Sequence, residues 1–256
     1  MTLQFLGTGT STGIPEIGCR CRVCTSADPR DERLRTSSLI NIDGRNILID
    51  CGPDFRTQIL RAMKKNTIDN LDAVLLTHEH YDHTGGLDDL RTFCRKGAVP
   101  VYAAPEVTEA IRLRLPYAFR QNRYPGSPNI ALENLDGKPF TVSGVVITPI
   151  RIMHGCLPIY GFRAGNLAYL TDVKTIPEEE YAKLQNLDTL IINALRHTDH
   201  PSHQSIEQAL SQASRICPQR TFLIHMSHNF GLHAEIETAL PDNIFIAYDG
   251  LTIESN

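Results

Sequence analysis

The chain has 256 residues, of which 41% are hydrophobic and 21% are charged, which is typical of a globular protein with a substantial buried core. Its formal net charge of -4 at pH 7 argues against a broadly basic surface of the kind that adheres to nucleic acid. We therefore expect a small-molecule substrate and do not expect nucleic acid as a partner.

The ends and the cysteines bear on location. No apolar run approaches the roughly 20 residues that span a bilayer, and the segment from Met1 lacks the basic start and apolar stretch of a signal peptide. We expect a cytoplasmic protein without membrane contact. Seven cysteines is an odd number, and three of them lie within six residues. In a reducing compartment this spacing favours a metal site over a disulfide framework.

Short apolar segments alternate with helical ones, which predicts a layered α/β domain spanning residues 1–256. The predicted strands are Leu3–Leu6, Ser38–Ile42, Asn46–Ile49, Ala73–Leu76, Val99–Tyr102, Val145–Ile152, Gly161–Ala164, Leu167–Leu170, Thr189–Ile192, Thr221–Ile224 and Ile244–Tyr248. The predicted helices are Phe55–Met63, Gly86–Cys94, Pro105–Leu113, Pro177–Leu184, Ser205–Arg215 and His233–Leu240. Proline and glycine predict that Tyr117–Gly137 is a loop excursion over one face.

Polar residues follow several of these strands directly. Thr77-His78, Thr171-Asp172, Asn193 and His225 each come after an apolar segment. In open α/β sheets, ligand sites gather in the crevice beyond the carboxyl ends of the strands. The sequence therefore predicts one composite site built from several strand ends.

The segment after the fourth predicted strand carries four candidate metal ligands, His78, His80, Asp82 and His83. Imidazole and carboxylate together suit zinc, manganese or iron. A loop here lets His78 and His80 approach one ion while Asp82 and His83 approach a second. A solvated polar turn is the alternative. It is the weaker interpretation, because a chance match at six specified positions is improbable.

This histidine block resembles the hallmark of the metallo-β-lactamase superfamily, and the resemblance extends along nearly the whole chain. It implies that His154 is the third ligand of the first metal, that Asp172 is a bridging carboxylate, and that His225 binds the second metal. It also implies an αββα four-layer sandwich of two similar halves. Taken singly, His154 could be a surface histidine and Asp172 a turn cap.

Two further aspartates are candidates for orienting the ligands. Asp50 ends an apolar strand, and this position is similar to one at which the superfamily has an aspartate that holds a ligand histidine. Asp249 in Tyr248-Asp249-Gly250 resembles a comparable support. A turn-capping role is an almost equally good interpretation of both residues.

The early cysteines predict a second metal site. Cys19, Cys21 and Cys24 offer three thiolates in a tight loop, and a tetrahedral structural zinc site needs a fourth ligand. His228 is our candidate, since it lies three residues beyond His225. A group of free or redox-active thiols is the alternative.

The glycine-rich start from Phe5 to Pro15, the cysteine loop and the His225–His228 pair together resemble the PhnP branch of the superfamily. Its members are cyclic phosphodiesterases, typified by phosphoribosyl 1,2-cyclic phosphate phosphodiesterase. The resemblance implies two active-site metal ions, manganese or zinc, and one structural zinc. It also implies a histidine near the leaving group, a role that falls on His203, whereas we assign His197 and His200 to a solvated loop.

Phosphodiester hydrolysis explains why these residue types are needed. Two cations roughly 3.5–4 Å apart can hold a hydroxide between them and neutralise phosphate oxygens. The departing alkoxide needs a proton, which imidazole can supply near neutral pH. His203 precedes a predicted helix whose N-terminus favours anions. We predict that the catalytic residues are His203, Asp82 and Asp172.

Three other functions remain open on the sequence. A ribonuclease Z-like nuclease for transfer-RNA 3′ ends would need a projecting arm and a basic surface, and the cysteine loop is foreign to that family. A thioester or lactone hydrolase would use the same metal site on a carbonyl. A non-hydrolytic cofactor-biosynthesis member often loses part of the ligand set, which here looks complete. Diiron relatives carry glutamate where this chain has His80.

Several residues near the predicted excursion bear on the substrate. Arginines there could receive a second phosphate group, although exposed arginines on a helix are usually solvated surface. Ser11 and Thr12 line the pocket by resemblance. Relatives are often dimers, which keeps a homodimer open, but the sequence does not decide the oligomeric state. The arginines concerned are Arg112, Arg114, Arg120 and Arg123.

Overall fold

The computed structural model describes residues 1–64 and 68–255. Its strands are β1 (Thr2–Gly7), β2 (Ser37–Ile42), β3 (Arg45–Ile49), β4 (Ala73–Leu75), β5 (Val99–Ala103), β6 (Ile130–Asn134), β7 (Phe140–Val142), β8 (Val145–His154), β9 (Leu157–Ala164), β10 (Leu167–Leu170), β11 (Thr189–Asn193), β12 (Arg220–Ile224), β13 (Ile244–Ile246) and β14 (Thr252–Glu254). The α-helices are α1 (Phe55–Met63), α2 (Tyr81–Thr84), α3 (Pro105–Arg114), α4 (Ile206–Ile216) and α5 (His233–Glu237). None of the helices in the described ranges has both the length and the apolar character needed to cross a bilayer.

Two seven-stranded sheets repeat one pattern of pairing. The first has the order β14-β1-β2-β3-β4-β5-β6 and the second the order β13-β12-β11-β10-β9-β8-β7. In the first sheet the pairs from β14 to β3 are antiparallel and those from β3 to β6 are parallel. In the second, the pairs from β7 to β10 are antiparallel and those from β10 to β13 are parallel. Each half therefore brings the carboxyl ends of several parallel strands to one edge.

Alternating side chains along the strands build three apolar layers. Ile47 and Ile49 of β3 face the core between the sheets, whereas Leu48 faces the outer layer formed with α1 and α3. In the second half, Tyr169 of β10 faces the shared core and Leu170 faces the layer formed with α4. A period of two residues separates the two faces of a strand in this way. The αββα four-layer sandwich is confirmed.

The start of α4 is fixed by its first residues, which matters because it lies just after the predicted catalytic histidine. The Ser205 hydroxyl accepts a hydrogen bond from the Gln208 amide, and the Gln208 side chain accepts one from the Ser205 amide, which is a capping box. Buried side chains spaced three and four residues apart then lay the helix on the second sheet. These are Ile206, Ala209, Ala213 and Ile216.

The structure differs from the sequence prediction mainly at the sheet edges. The segment Tyr117–Gly137, predicted as a loop excursion, contains β6, which pairs in parallel with β5. The strands β7 and β14 were also not predicted. The side chains of β6 become more exposed along the strand, so its residues carry little of the apolar pattern of a central strand. The predicted helices Gly86–Cys94 and Pro177–Leu184 are 3-10 helices over residues 87–92 and 178–184.

Candidate metal centre

Side chains from both sheets meet at the edge where the parallel strands end. His154 is the last residue of β8, and His225 directly follows β12. Asp50, Asp172 and His225 lie just beyond β3, β10 and β12 with φ angles of 60°, 58° and 58°. A left-handed backbone costs a non-glycine residue about 1–3 kcal/mol and is found preferentially at functional sites. The chain thus turns sharply at three of the strand ends that carry candidate site residues.

Three histidines form the first cluster of donor atoms. His78, His80 and His154 each present one ring nitrogen, and these nitrogens lie within 4.8 Å of one another. The Thr77 hydroxyl lies 3.0 Å from His78 Nδ1, and His154 Nδ1 donates to the Ser202 carbonyl at 2.8 Å. Ligand histidines are usually held by such a hydrogen bond on the second ring nitrogen. The arrangement matches the ligand set that the resemblance implies for the first metal ion.

Asp82, His83 and His225 form a second cluster within the same 4.8 Å limit. Asp172 Oδ2 lies 3.3 Å from His83 Nε2, and Asp172 Oδ1 lies 3.2 Å from His225 Nε2. A carboxylate oxygen of Asp172 also lies within 4.8 Å of a ring nitrogen of His78 and of a ring nitrogen of His154, both members of the first cluster. Burial opposes ionisation of Asp172, but the neighbouring histidines His225 and His83 outweigh it and hold its pKa well below the usual range. A carboxylate that reaches both clusters is suited to bridge two cations.

Ring nitrogens without hydrogen bonds show that the residues present fit divalent metal ions. Within the described residues, His83 Nε2 and both ring nitrogens of His225 are buried and make no hydrogen bond, which is costly for polar atoms. His83 Nε2 nevertheless lies 3.1 Å from Asp82 Oδ2. A shared cation would satisfy both atoms, and imidazole with carboxylate suits zinc, manganese or iron.

Asp50 lies behind one of the candidate ligand histidines. Its carboxylate accepts from His83 Nδ1 at 2.6 Å and from the Thr77 amide at 2.9 Å. Burial raises the pKa of Asp50. Burial also opposes the charged form of His83, but the carboxylates of Asp172, Asp50 and Asp82 hold its pKa well above the ordinary value. In the protein without bound cations, these carboxylates therefore favour the protonated form of His83.

Asp249 supports a loop instead of a ligand histidine, which corrects the prediction made for it. Its carboxylate accepts from the Thr8 hydroxyl and from the Leu34 amide, each at 2.8 Å, and none of its hydrogen bonds to described residues reaches a histidine. The Thr8 carbonyl accepts from the Met226 amide at 3.1 Å. The Asp249 carboxylate therefore holds the Thr8 loop, which in turn contacts Met226, the residue after His225.

His203 lies beside the candidate bridging carboxylate. Its Nε2 donates to Asp172 Oδ1 at 2.9 Å. Burial lowers the pKa of His203 to about 4, although the hydrogen bond to Asp172 opposes this shift, so the ring is neutral near pH 7 in the protein without bound ions. One ring nitrogen of His203 also lies within 4.8 Å of donor atoms of His154 and Asp172. The geometry therefore serves either the predicted acid role or a ligand role, and measured metal content separates the two.

Three residues contribute to the site in ways that the sequence analysis did not identify. Ser202 orients His154 through its main-chain carbonyl, which leaves no signal in side-chain chemistry. His200, assigned to a solvated loop, places its Nδ1 3.1 Å from His203 Nδ1. Asn193 binds the Val173 amide at 2.6 Å and the Val173 carbonyl at 3.2 Å, which holds the turn that carries Asp172. A buried asparagine at a strand end was the available signal.

The predicted cysteine site comes together as one cluster. Cys19, Cys21, Cys24 and His228 each offer one donor atom, and these atoms lie within 4.8 Å of one another. Cys24 Sγ is 3.4 Å from His228 Nδ1. The Cys24 amide is the main cause that lowers the pKa of Cys21, whereas burial raises that of Cys24 to about 11. Three sulfurs and one imidazole nitrogen fit a tetrahedral zinc ion.

Comparison of this chain with family models and solved structures identifies the family to which it belongs. A family model described as a β-lactamase superfamily domain matches residues 45–226. The chain belongs to the β-lactamase superfamily. A crystal structure of a new diphosphatase from the PhnP family superposes with a TM-score of 0.91 at 38% sequence identity, covering 98% of this chain and 96% of that one. Within the superfamily, the protein is therefore PhnP-like, as the sequence analysis inferred.

Two other relatives of this chain carry different names. Zinc-bound PqqB from Methylobacterium extorquens superposes with a TM-score of 0.79 at 21% identity, covering 99% of this chain and 100% of that one, which shows a shared fold. An octanoyltransferase from Porphyromonas gingivalis is 53% identical over 254 residues, which cover 98% of this chain and 51% of that protein. The chain thus spans about half the length of that curated relative, and a smaller share of the next ones.

Replacing Cys21 by serine is expected to remove one tightly held zinc ion and to lower the free energy of unfolding. Because binding at a structural zinc site contributes directly to folding, we expect a loss of about 2 kcal/mol or more, which lowers Tm by at least about 4 °C. Zinc content by elemental analysis and Tm by calorimetry provide the measurement. Cys217→Ser, at an exposed cysteine outside the cluster, serves as the control; unchanged zinc content and Tm in Cys21→Ser would contradict the structural site.

Proposed function

We propose that this protein is a metal-dependent phosphodiesterase that hydrolyses a small cyclic phosphodiester resembling a phosphoribosyl cyclic phosphate. The observation that carries the proposal is the convergence of two donor clusters on one carboxylate. One oxygen of Asp172 lies 3.3 Å from His83 Nε2 of the second cluster. A carboxylate oxygen of Asp172 also lies within 4.8 Å of a ring nitrogen of His154, a member of the first cluster. Because ligand sites gather in the crevice beyond the strand ends, a carboxylate within reach of both clusters there favours a ligand-binding site over a purely structural one.

The ligand roles follow from the two clusters. We assign His78, His80 and His154 to one ion and Asp82, His83 and His225 to the other, with Asp172 shared. When bound, two divalent cations supply charge neutralisation for the phosphate and activate water at neutral pH. The protein's part is to hold seven donor groups in fixed positions, and Asp50 and the Ser202 carbonyl hold two of the rings by hydrogen bonds of 2.6 and 2.8 Å.

We assign the leaving-group role to His203. Its ring is largely buried and neutral, with one nitrogen 2.9 Å from Asp172 Oδ1 and the other 3.1 Å from the Ser202 hydroxyl. A phosphodiester anion at the metal site would stabilise the imidazolium form and raise the pKa of His203. His203 can then donate a proton to the departing alkoxide. The capped N-terminus of α4, which follows closely, adds a favourable field for an anion.

Hydrolysis at phosphorus is supported by the 38% identical relative, which is described as a diphosphatase of the PhnP family. A formal net charge of -4 supports a small anion drawn to local cations over a long nucleic acid held by a basic surface. We therefore place a small phosphodiester ahead of precursor transfer RNA.

Acyl thioester hydrolysis is a second candidate, because the octanoyltransferase match is 53% identical over nearly the whole of this chain. The match covers 51% of that protein, and the name describes the whole. The proposed metal site would act on a carbonyl carbon by the same polarisation. An octanoyl thioester is therefore included among the test substrates.

The test is a substrate panel on protein whose metal content has been measured. We expect about two exchangeable divalent ions and one tightly held zinc per chain, and the highest kcat/KM on ribosyl cyclic phosphate, followed by 2′,3′- and 3′,5′-cyclic nucleotides and bis-p-nitrophenyl phosphate. Metal-stripped protein is the control. A higher kcat/KM on precursor transfer RNA or on the octanoyl thioester would replace the proposal with the corresponding alternative. Active protein with one metal ion or none would contradict the paired site.

A further inference from the structure

His80 differs from most of the other candidate ligand histidines in how its ring is held. The rings of His78, His154 and His83 each have an outer partner, namely the Thr77 hydroxyl, the Ser202 carbonyl and the Asp50 carboxylate. Among the described residues, the ring of His80 has one hydrogen-bond contact, and this is with another candidate ligand, His78, at 2.9 Å. His80 is also exposed. Its position therefore depends on the peptide groups that flank it.

Those peptide groups are fixed from outside the loop. The buried Thr84 hydroxyl donates to the His80 carbonyl at 2.9 Å and lies 3.2 Å from the Glu79 carbonyl. Arg114, the last residue of α3, donates from Nη2 to the Glu79 carbonyl at 3.1 Å and from Nη1 to the Thr84 hydroxyl. One guanidinium group thus binds the carbonyl before His80 directly and the carbonyl of His80 through Thr84.

We propose that Arg114 is a positioning residue for the metal ligand His80. Charged hydrogen bonds from a guanidinium are stronger than neutral ones, and outer contacts of a metal site typically change metal affinity by about 10- to 100-fold. Each Nη group of Arg114 makes one hydrogen bond to the loop, which favours a role in holding the site over a role in receiving a second substrate phosphate. The inference rests on the proposed function in one respect, namely that His80 binds a metal ion.

The same helix offers a matched control. Arg112 lies two residues earlier, and its guanidinium carbon is 5.1 Å from the centre of the Phe119 ring. It makes no hydrogen bond to the histidine block in the described part of the chain. Arg112→Ala removes the same charge from the same helix, so it separates the contact of Arg114 with the loop from a general loss of positive charge.

The experiment is a titration of metal-stripped protein with Mn²⁺ and with Zn²⁺, without substrate, for the wild type, Arg114→Ala, Arg114→Lys and Arg112→Ala. We expect Arg114→Ala to bind one exchangeable ion about 10-fold or more weakly than the wild type does. Arg112→Ala should have the metal affinity of the wild type, and methylguanidinium should restore part of the affinity that Arg114→Ala loses. At saturating metal, KM should stay at the wild-type value. Thr84→Val, which removes the linking hydroxyl, should weaken the same ion.

Wild-type metal affinity in Arg114→Ala would overturn the proposal, whether or not KM rises; a raised KM would assign Arg114 to the substrate. If Arg114→Ala does not fold, Arg114→Lys and Thr84→Val decide the matter by the same titration, and wild-type affinity in both overturns it. Failure of the proposed function is read separately, because a wild-type protein that binds no exchangeable ions refutes the metal site before any variant is compared.

Discussion

Asp172→Asn will lower kcat/KM at least about 1000-fold while leaving the fold intact. The substitution keeps the shape of the side chain but removes the charge that, in the proposed paired site, would screen two cations from each other. Loss of several kcal/mol of metal-dependent stabilisation corresponds to this factor, since each 1.36 kcal/mol is tenfold in rate. Asparagine also tolerates the φ of 58° at this position better than alanine does, so Asp172→Ala, with the same expected loss of turnover, adds backbone strain.

Steady-state kinetics on the best substrate of the panel, with metal content and circular dichroism in parallel, measure the effect of Asp172→Asn. Asp242→Asn, in an exposed turn before β13, controls for the loss of a carboxylate charge elsewhere in the same half. Full activity in Asp172→Asn would show that the carboxylate does not bridge metal ions, and the assignment of the paired site would then be wrong.

His203→Ala is expected to slow hydrolysis by about 10²- to 10⁴-fold, the usual contribution of a general acid or base, with both exchangeable ions retained. The deficit should depend on the leaving group. Cyclic nucleotides expel an alkoxide that needs a proton, whereas bis-p-nitrophenyl phosphate expels a stable phenolate. We therefore expect a large loss on the first substrate and a small loss on the second.

The contrast between the two substrates, measured as a ratio of kcat/KM values, tests the acid role of His203. His197→Ala is the matched control, because His197 lies on the same loop segment and its Nε2 is 3.0 Å from the Phe230 carbonyl, away from Asp172. An equal loss on both substrates would remove the acid role, and loss of a metal ion would make His203 a ligand.

The sequence by itself predicted the features that depend on short stretches of chain. The histidine block, the cysteine loop and the strands that precede Asp50, His78 and His225 are all visible in a window of a few residues, because a buried strand imposes apolar side chains and a metal site imposes imidazole, thiol and carboxylate groups. The resemblance to a family then extended these patterns to His154, Asp172 and the four-layer fold. The edge strands β6, β7 and β14 escaped prediction, since half-exposed strands carry little apolar pattern.

Only the tertiary structure decided which distant groups touch. Asp249 was predicted to hold a histidine and instead holds Thr8 and Leu34, while the Ser202 carbonyl orients His154 from 48 residues away. Arg114 reaches the histidine block only because α3 ends beside the loop that follows β4. Such contacts depend on packing between segments far apart in the chain and often on main-chain atoms that every residue has, so no local pattern of side chains encodes them.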